Sequence, residues 1–323
     1  AQNEPDDYVK ETFDFGLLED FDHLYRYSQF AYMTEGIKPD SIVQNKTDVV
    51  LGRPTQFHHN NNSLRIRKPY KKNETSPQTK VNILTLLSAE QQTHNYYAEH
   101  GFNYADPILR KTYAEIKDVE EEHTTMYESL IDSSETFFEK LLIHEFCEVC
   151  NYYTCLTDET DQRLKETWEI FLQFELGHLQ VAIDLYKKYE KKDPQEIIGD
   201  KIIIPNRFQS QKAYVQKILK SETDKRLTQD GNFERVKNLS ENWQSYKVQE
   251  KQNEFGSPSE DALRLAFRYN KRDIVSGDSK LINNEDKILK QSLQEIALAK
   301  NTVCPDELHN AIEEFEISKN EDM

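Results

Sequence analysis

Cysteine is scarce. Four residues in 323 do not make a disulfide framework, so the chain reads as a protein of a reducing compartment, the cytoplasm. Basic charge is outweighed, with 41 Lys and Arg against 58 Asp and Glu and a formal net charge of −17. Nucleic acid and anionic membrane surfaces need clustered Lys and Arg, so neither is an expected partner. No stretch approaches 18 consecutive apolar residues, which leaves no candidate membrane-spanning helix. The chain begins at Ala1 without an initiator Met or a basic-then-apolar leader, so either a segment was removed or the numbering begins inside the chain. Asn-x-Ser/Thr triplets at Asn45, Asn61, Asn73 and Asn238 are of the number that chance gives in an Asn-rich chain.

What the chain does hold is a repeat. A shift of 55 residues carries Glu90, Glu120 and His123 onto Glu145, Glu175 and His178 without a gap. Around each of these the apolar residues fall at alternating steps of three and four, as on the inward seam of a bundle helix. Leu109, Tyr113, Ile116, Glu120, His123, Tyr127 and Leu130 form one such seam, and Trp168, Phe171, Glu175, His178, Ala182 and Leu185 another. Ile83, Leu87, Glu90, His94 and Tyr97, then Phe138, Leu142, Glu145, Val149 and Tyr152, complete the set. The pattern predicts an all-α protein whose four helices, at roughly 80–100, 105–130, 135–157 and 160–190, close round four carboxylates and two imidazoles. Isolated buried carboxylates cost more than a domain's whole stability, so they protonate, pair or bind metal. Residues i and i+3 lie on one helix face, so each Glu-x-x-His reaches one centre, and hard carboxylates with imidazole suit iron or manganese.

One Glu from each of two helices and a Glu-x-x-His from each of two others is the ligand set of ferritin-like di-metal bundles, and over about residues 80–190 the chain resembles that superfamily, within it the rubrerythrin and erythrin group. The resemblance implies two metal ions, Fe or else Mn or a mixed Fe/Mn pair, held by Glu90, Glu120, His123, Glu145, Glu175 and His178. In Glu145-Phe146-Cys147-Glu148, Glu148 resembles the mobile carboxylate ligand of rubrerythrins, and Tyr97 and Tyr152 resemble the tyrosines that line such sites. Rubrerythrins also carry an iron site of two Cys-x-x-Cys pairs. This chain has only Cys147-x-x-Cys150, set inside a helix and read as packing, so any electron donor is external.

Outside the repeat, residues 1–79 read as an N-terminal helix from Tyr8 to Glu35 followed by an extended arm. Within the helix Asp20-Phe21-Asp22-His23 repeats the acid-x-x-His spacing beside Glu19 but has no glutamate 30 residues upstream, so a helix-surface ion pair or a contact with the bundle is the expectation. The arm, rich in Pro, Asn, Lys and Ser, carries His58-His59, which in a polar loop is expected to be solvated. Such an arm is suited to wrapping a neighbouring subunit. His94 is expected to face inward beside the ligands. Residues 191–323 read as a helical appendage, with apolar stripes at 208–219, 262–267 and 288–297 and a last acidic helix opened by Pro305.

Only 22 steps separate His123 from Glu145, barely enough for a crossover along a bundle, which suggests a homodimer exchanging helix pairs. The expected activity is a redox reaction in which two Fe(II) reduce peroxide or dioxygen. An oxygenase or oxidase acting on an organic substrate, and a ferroxidase or structural metal protein, are the alternatives.

Overall fold

Helix α1 (Asp7–Glu35) begins at Asp6, whose carboxylate accepts from the amides of Tyr8 and Val9, and ends at Gly36 in the left-handed region. It is buried on nearly every side: Val9, Phe13, Phe15, Leu18, Phe21, Tyr25 and Phe30 are core residues, and so are Glu19, Asp22, His23 and Arg26. Charges so placed need partners, and the segment after α1 supplies them. In the computed structural model, which describes residues 1–203, 209–259 and 261–262, a short helix α2 (Pro39–Val43) leads into that segment. It then runs back across α1. Gly52 passes so close that a Cβ there would lie 2.0 Å from the Leu18 carbonyl oxygen, and the Arg53 amide donates to that oxygen at 2.7 Å.

The expected extended arm is therefore an internal strap. Val49, Val50, Leu51, Phe57 and Leu64 are buried, and Arg26, Arg53 and Arg65 are among the largest fully buried side chains. His58 and His59, expected in solvent, are buried as well. The polar composition that reads as loop is here matched to acids of α1 and the bundle. Arg65 donates to Glu19 at 2.8 Å and to Glu122 at 2.6 Å, and His59 pairs with Glu115 at 3.0 Å.

Helices α3 (Pro77–His100), α4 (Pro107–Glu128), α5 (Phe137–Asp158) and α6 (Gln162–Glu190) form two hairpins. Ser76, Asp106, Thr136 and Asp161 cap their starts, Thr136 with Glu139 as a reciprocal capping box. The hairpins meet along the first half of α3, where Val81 and Leu84 pack on Leu142, Ile143, Phe146 and Cys147 and Thr85 donates to Asn151 at 3.1 Å. Among the described residues the contact of α3 with α5 is the main join between the two hairpins. Cys147 and Cys150 lie in this contact as buried free thiols, as expected of packing residues.

Beyond α6, helix α7 (Gln195–Ile198) packs on α5, and α8 (Lys212–Ser221) lays Val215, Ile218 and Leu219 against Leu18, Phe21 and Val50. A two-stranded antiparallel hairpin follows, β1 (Lys225–Leu227) with β2 (Phe233–Arg235), turning at Gly231 with φ +79°. It is the one sheet among the described residues and an addition to the expected all-helical appendage. Helix α9 (Gln244–Gln252) comes next, and Trp243 before it donates to the Leu227 carbonyl at 2.9 Å. One core joins Val9 and Phe13 of α1, Leu64 of the strap, Ile83, Met126, Leu227 and Trp243. Ala262 packs on Phe30, Leu109 and Tyr113. The stripes expected at 263–267 and 288–297, the Pro305 helix, Phe208 and Cys304 lie outside the described residues.

Replacing Arg65 by Met should cost about 3–5 kcal/mol of unfolding free energy, because Glu19 and Glu122 would keep their buried charge without their cation. Equilibrium denaturation measures it. A loss within about 0.5 kcal/mol, the range of an ordinary surface substitution, would mean the arginine is not what holds the strap.

Candidate metal centre

Three helices bring their acids to one point. Glu90 comes from the middle of α3, Glu120 and His123 from successive turns of α4, and Asp20 from α1. One ligand atom from each of the four lies within 4.8 Å of the others. His123 is fully buried, and its Nδ1 faces the carboxylates: 3.3 Å from Glu120 Oε2, 3.5 Å from Glu90 Oε2 and 3.7 Å from Asp20 Oδ1. Its other nitrogen, Nε2, donates to Glu19 at 2.6 Å. That bond turns Nδ1 toward the acids, the arrangement by which a carboxylate fixes the ring of a metal-binding histidine.

His23, one turn after Asp20 on α1, approaches from the other side. Its Nδ1 lies 3.1 Å from Glu120 Oε1, so the two oxygens of Glu120 each face one imidazole. The His23 Nε2 is buried without a hydrogen-bond partner. Its ring neighbours those of His58 and His123, with centroids 5.7 and 6.2 Å away. Asp20 is the open edge of the cluster, its side chain 42% exposed.

Protons stand where cations would fit. Burial drives the Glu90 carboxyl up to about 7, against the pull of His123. Burial also opposes charge on Glu120, but the hydrogen bonds from His123 and His23 outweigh it and hold that carboxyl well below its usual range. The carboxylates in turn raise His123 well above an ordinary imidazole despite its burial, and His23 in the same direction. Arg65 overcomes the burial of Glu19 and keeps it ionised. His58 goes the other way, lowered chiefly by burial.

The six ligands expected at one place divide into two sets of three, one per hairpin. Glu145, Glu175 and His178 form the second set, with one ligand atom from each within 4.8 Å of the others. His178 Nδ1 lies 3.0 Å from Glu175 Oε2 and 4.0 Å from Glu145 Oε2. This set opens to solvent, the His178 side chain being 61% exposed. Asp20 and His23 of α1 stand at the first set.

Glu148 sits one turn beyond Glu145, its carboxyl raised by burial and by Glu175 and Glu145. Tyr152 contacts Trp168 and Phe171 beside the second set. Tyr97 belongs to the first, stacked on Tyr27 at 5.4 Å and edge-on to Tyr113 at 5.6 Å. His94 stands apart from the ligands, with Nε2 3.8 Å from Glu121. Sequence reasoning ranked a metal role for Asp20 and His23 below an ion pair or a bundle contact, although their spacing was visible, because their partners come from the α3–α4 hairpin. It missed Arg65 and expected His58 in solvent, since nothing local marks an arginine or histidine in a polar segment as buried.

The proton inventory sets a pH dependence. Glu90, His123 and His23 all have folded pKa values above their unfolded ones, so the metal-free protein gains stability from bound protons at low pH and loses it as pH rises through about 7. Melting temperature in chelator should therefore fall between about pH 5 and 8, and added Mn(II) should restore it while releasing protons into a weakly buffered indicator solution. A flat chelated profile with no proton release would contradict this electrostatic account.

No family model matches the chain, and comparisons with curated proteins and with solved structures give no match.

Proposed function

We propose that this chain is a metal-dependent redox protein of the ferritin-like, rubrerythrin-like kind, reducing peroxide or dioxygen at a centre for two metal ions, iron first and manganese second. The carrying observation is the placement of Glu120, whose two carboxylate oxygens face His123 Nδ1 and His23 Nδ1 respectively. On this reading Asp20, Glu90, Glu120 and His123 would hold the metal, His23 beside Glu120 would add a second imidazole, and Glu19 would orient His123. The donor set fits the group: carboxylate oxygen and imidazole nitrogen suit Fe(II) and Mn(II), and the unpartnered Nε2 of His23 is a buried polar atom that the chain alone does not satisfy. Two ferrous ions, when bound, supply the two electrons and the Lewis acidity that peroxide reduction to water requires.

The protein's own part is to orient the ligands: Glu19 keeps Nε2 of His123 donating, so that Nδ1 stays directed at the carboxylates. Asp20 marks where solvent and a small oxidant reach the centre. The phenols of Tyr27, Tyr97, Tyr113 and Tyr104 line the α1–α3–α4 junction beyond it, Tyr104 and Tyr113 sharing a hydrogen bond at 2.9 Å. Electrons for turnover come from an external donor.

Anaerobic protein loaded with Fe(II) tests the reading. Hydrogen peroxide should oxidise the bound iron within the mixing time of a stopped-flow instrument, dioxygen more slowly. Glu19→Gln should weaken metal binding about 10–100-fold, the usual cost of losing a partner that orients a ligand, and His23→Ala should halve the iron held at this centre. Faster reaction with dioxygen and product formed only with an added organic substrate would make the protein an oxygenase. Iron accumulating far beyond the site's capacity would make it a store, and bound iron inert to both oxidants would make it structural.

A further inference from the structure

Two imidazoles at the seam of α1 and the strap each keep a nitrogen without a partner. His23 is 3% exposed and His58 fully buried, and their ring centroids lie 5.7 Å apart. In each ring the other nitrogen is committed. His58 Nε2 donates to the Arg53 carbonyl, which can only accept, so the proton of the neutral ring is there and Nδ1 is a bare lone pair. His23 Nδ1 lies 3.1 Å from the ionised Glu120 carboxylate and donates to it. Its Nε2, across the ring, is then bare or carries a proton that finds no acceptor. Asn60, two residues along the strap from His58, adds a third such atom. Its amide nitrogen donates to the His58 carbonyl, which fixes which end of the amide is oxygen, and its Oδ1 is buried without a partner. An unpaired buried polar atom costs about 1–3 kcal/mol, and three of them at one seam require an occupant.

We propose that this seam is a separate metal site, in which His23 Nε2, His58 Nδ1 and Asn60 Oδ1 hold one divalent ion of the zinc kind. An imidazole reaches such an ion at about 2.0–2.1 Å, and rings 5.7 Å apart leave room for one ion between them. A single water has two hydrogens for three acceptors, whereas a cation satisfies all three. Two neutral imidazoles and an amide oxygen suit zinc or copper better than manganese, which favours carboxylates. Burial lowers His58 well below an ordinary imidazole, so its lone pair stays free of protons at neutral pH. The charge brought in is met by Glu120, behind His23, and by Glu19, whose field reaches His58. The inference goes beyond the redox reading and uses none of Asp20, Glu90 or His123; His23 takes part through the nitrogen that Glu120 does not hold.

Nitrogen NMR of the full chain carrying isotope-labelled histidine, with and without Zn(II), tests it. Zn(II) should move His58 Nδ1 from the position of a bare nitrogen to that of a metal-bound one, together with His23 Nε2. His123 Nδ1 reports the carboxylate centre in the same spectra, so failure there is read separately. In equilibrium dialysis His58→Ala should bind one Zn(II) fewer per chain while His123 still responds, and His123→Ala should keep the His58 response. The wild-type spectra decide by themselves should His58→Ala not fold. A His58 Nδ1 that stays bare or water-bonded in excess Zn(II), or that moves without His23 Nε2, would overturn the proposal. So would a folded His58→Ala chain that loses no Zn(II).

Discussion

The Glu19 carboxylate, buried and held between Arg65 and His123, is the contact on which the rest of the structure depends. An ionised carboxylate out of water costs several kcal/mol even after the protein relaxes, so it persists only with close cationic partners. Arg65 is one, and reaching it obliges residues 44–67 to fold back over α1. That path brings Gly52 against the Leu18 carbonyl and seats Arg53 between the Phe15 carbonyl and Glu19, at 3.0 and 3.4 Å. His123 is the other partner, and it ties α1 to α4. A single buried acid thus fixes where the strap runs, how α1 sits on the first hairpin and which nitrogen of His123 faces the remaining carboxylates.

From that anchor the two hairpins diverge although their sequences repeat. Each carries a glutamate on its first helix and Glu-x-x-His on its second, and each gathers those three side chains at one point. The first hairpin receives α1 as a third helix. Asp20 and His23 then give it an acid and an imidazole from outside the hairpin, and Glu90, Glu120 and His123 become interior, leaving Asp20 at the open edge. Among the described residues the second receives nothing comparable, and it keeps aromatic and aliphatic side chains exposed. Identical local geometry has led to a closed centre in one case and an open face in the other, and the difference lies entirely in what packs on top.

Helix positions were legible in the sequence because proline, serine and aspartate mark them. Pro107 opens α4 and an aspartate, Asp161, caps α6, while α5 is capped by Thr136 rather than by Ser134 two residues earlier; the expected boundaries fall within a few residues of the observed ones. The content of each three-residue ligand set was legible for a similar reason, since i and i+3 on one helix must share a face. Which faces would meet was not. Periodicity states that Glu120 points inward without stating inward to what, and the answer depends on α1, about a hundred residues away. The buried Arg65 was hidden by the same limit, its partner Glu19 being distant in sequence, and His58 by composition, since a polar loop and a polar strap share one composition. The β1–β2 hairpin was missed because strands of three residues carry too little alternation to detect.

The two sets also differ in how they bear their charge when no cation is present. At Glu120 the chain supplies substitutes, with protons on His123, His23 and Glu90 and the guanidinium of Arg65 behind Glu19. That centre can stay folded without metal, and an arriving ion exchanges with protons rather than with solvent. At Glu175 water does the same work, since His178 is largely exposed and both carboxylates reach the surface.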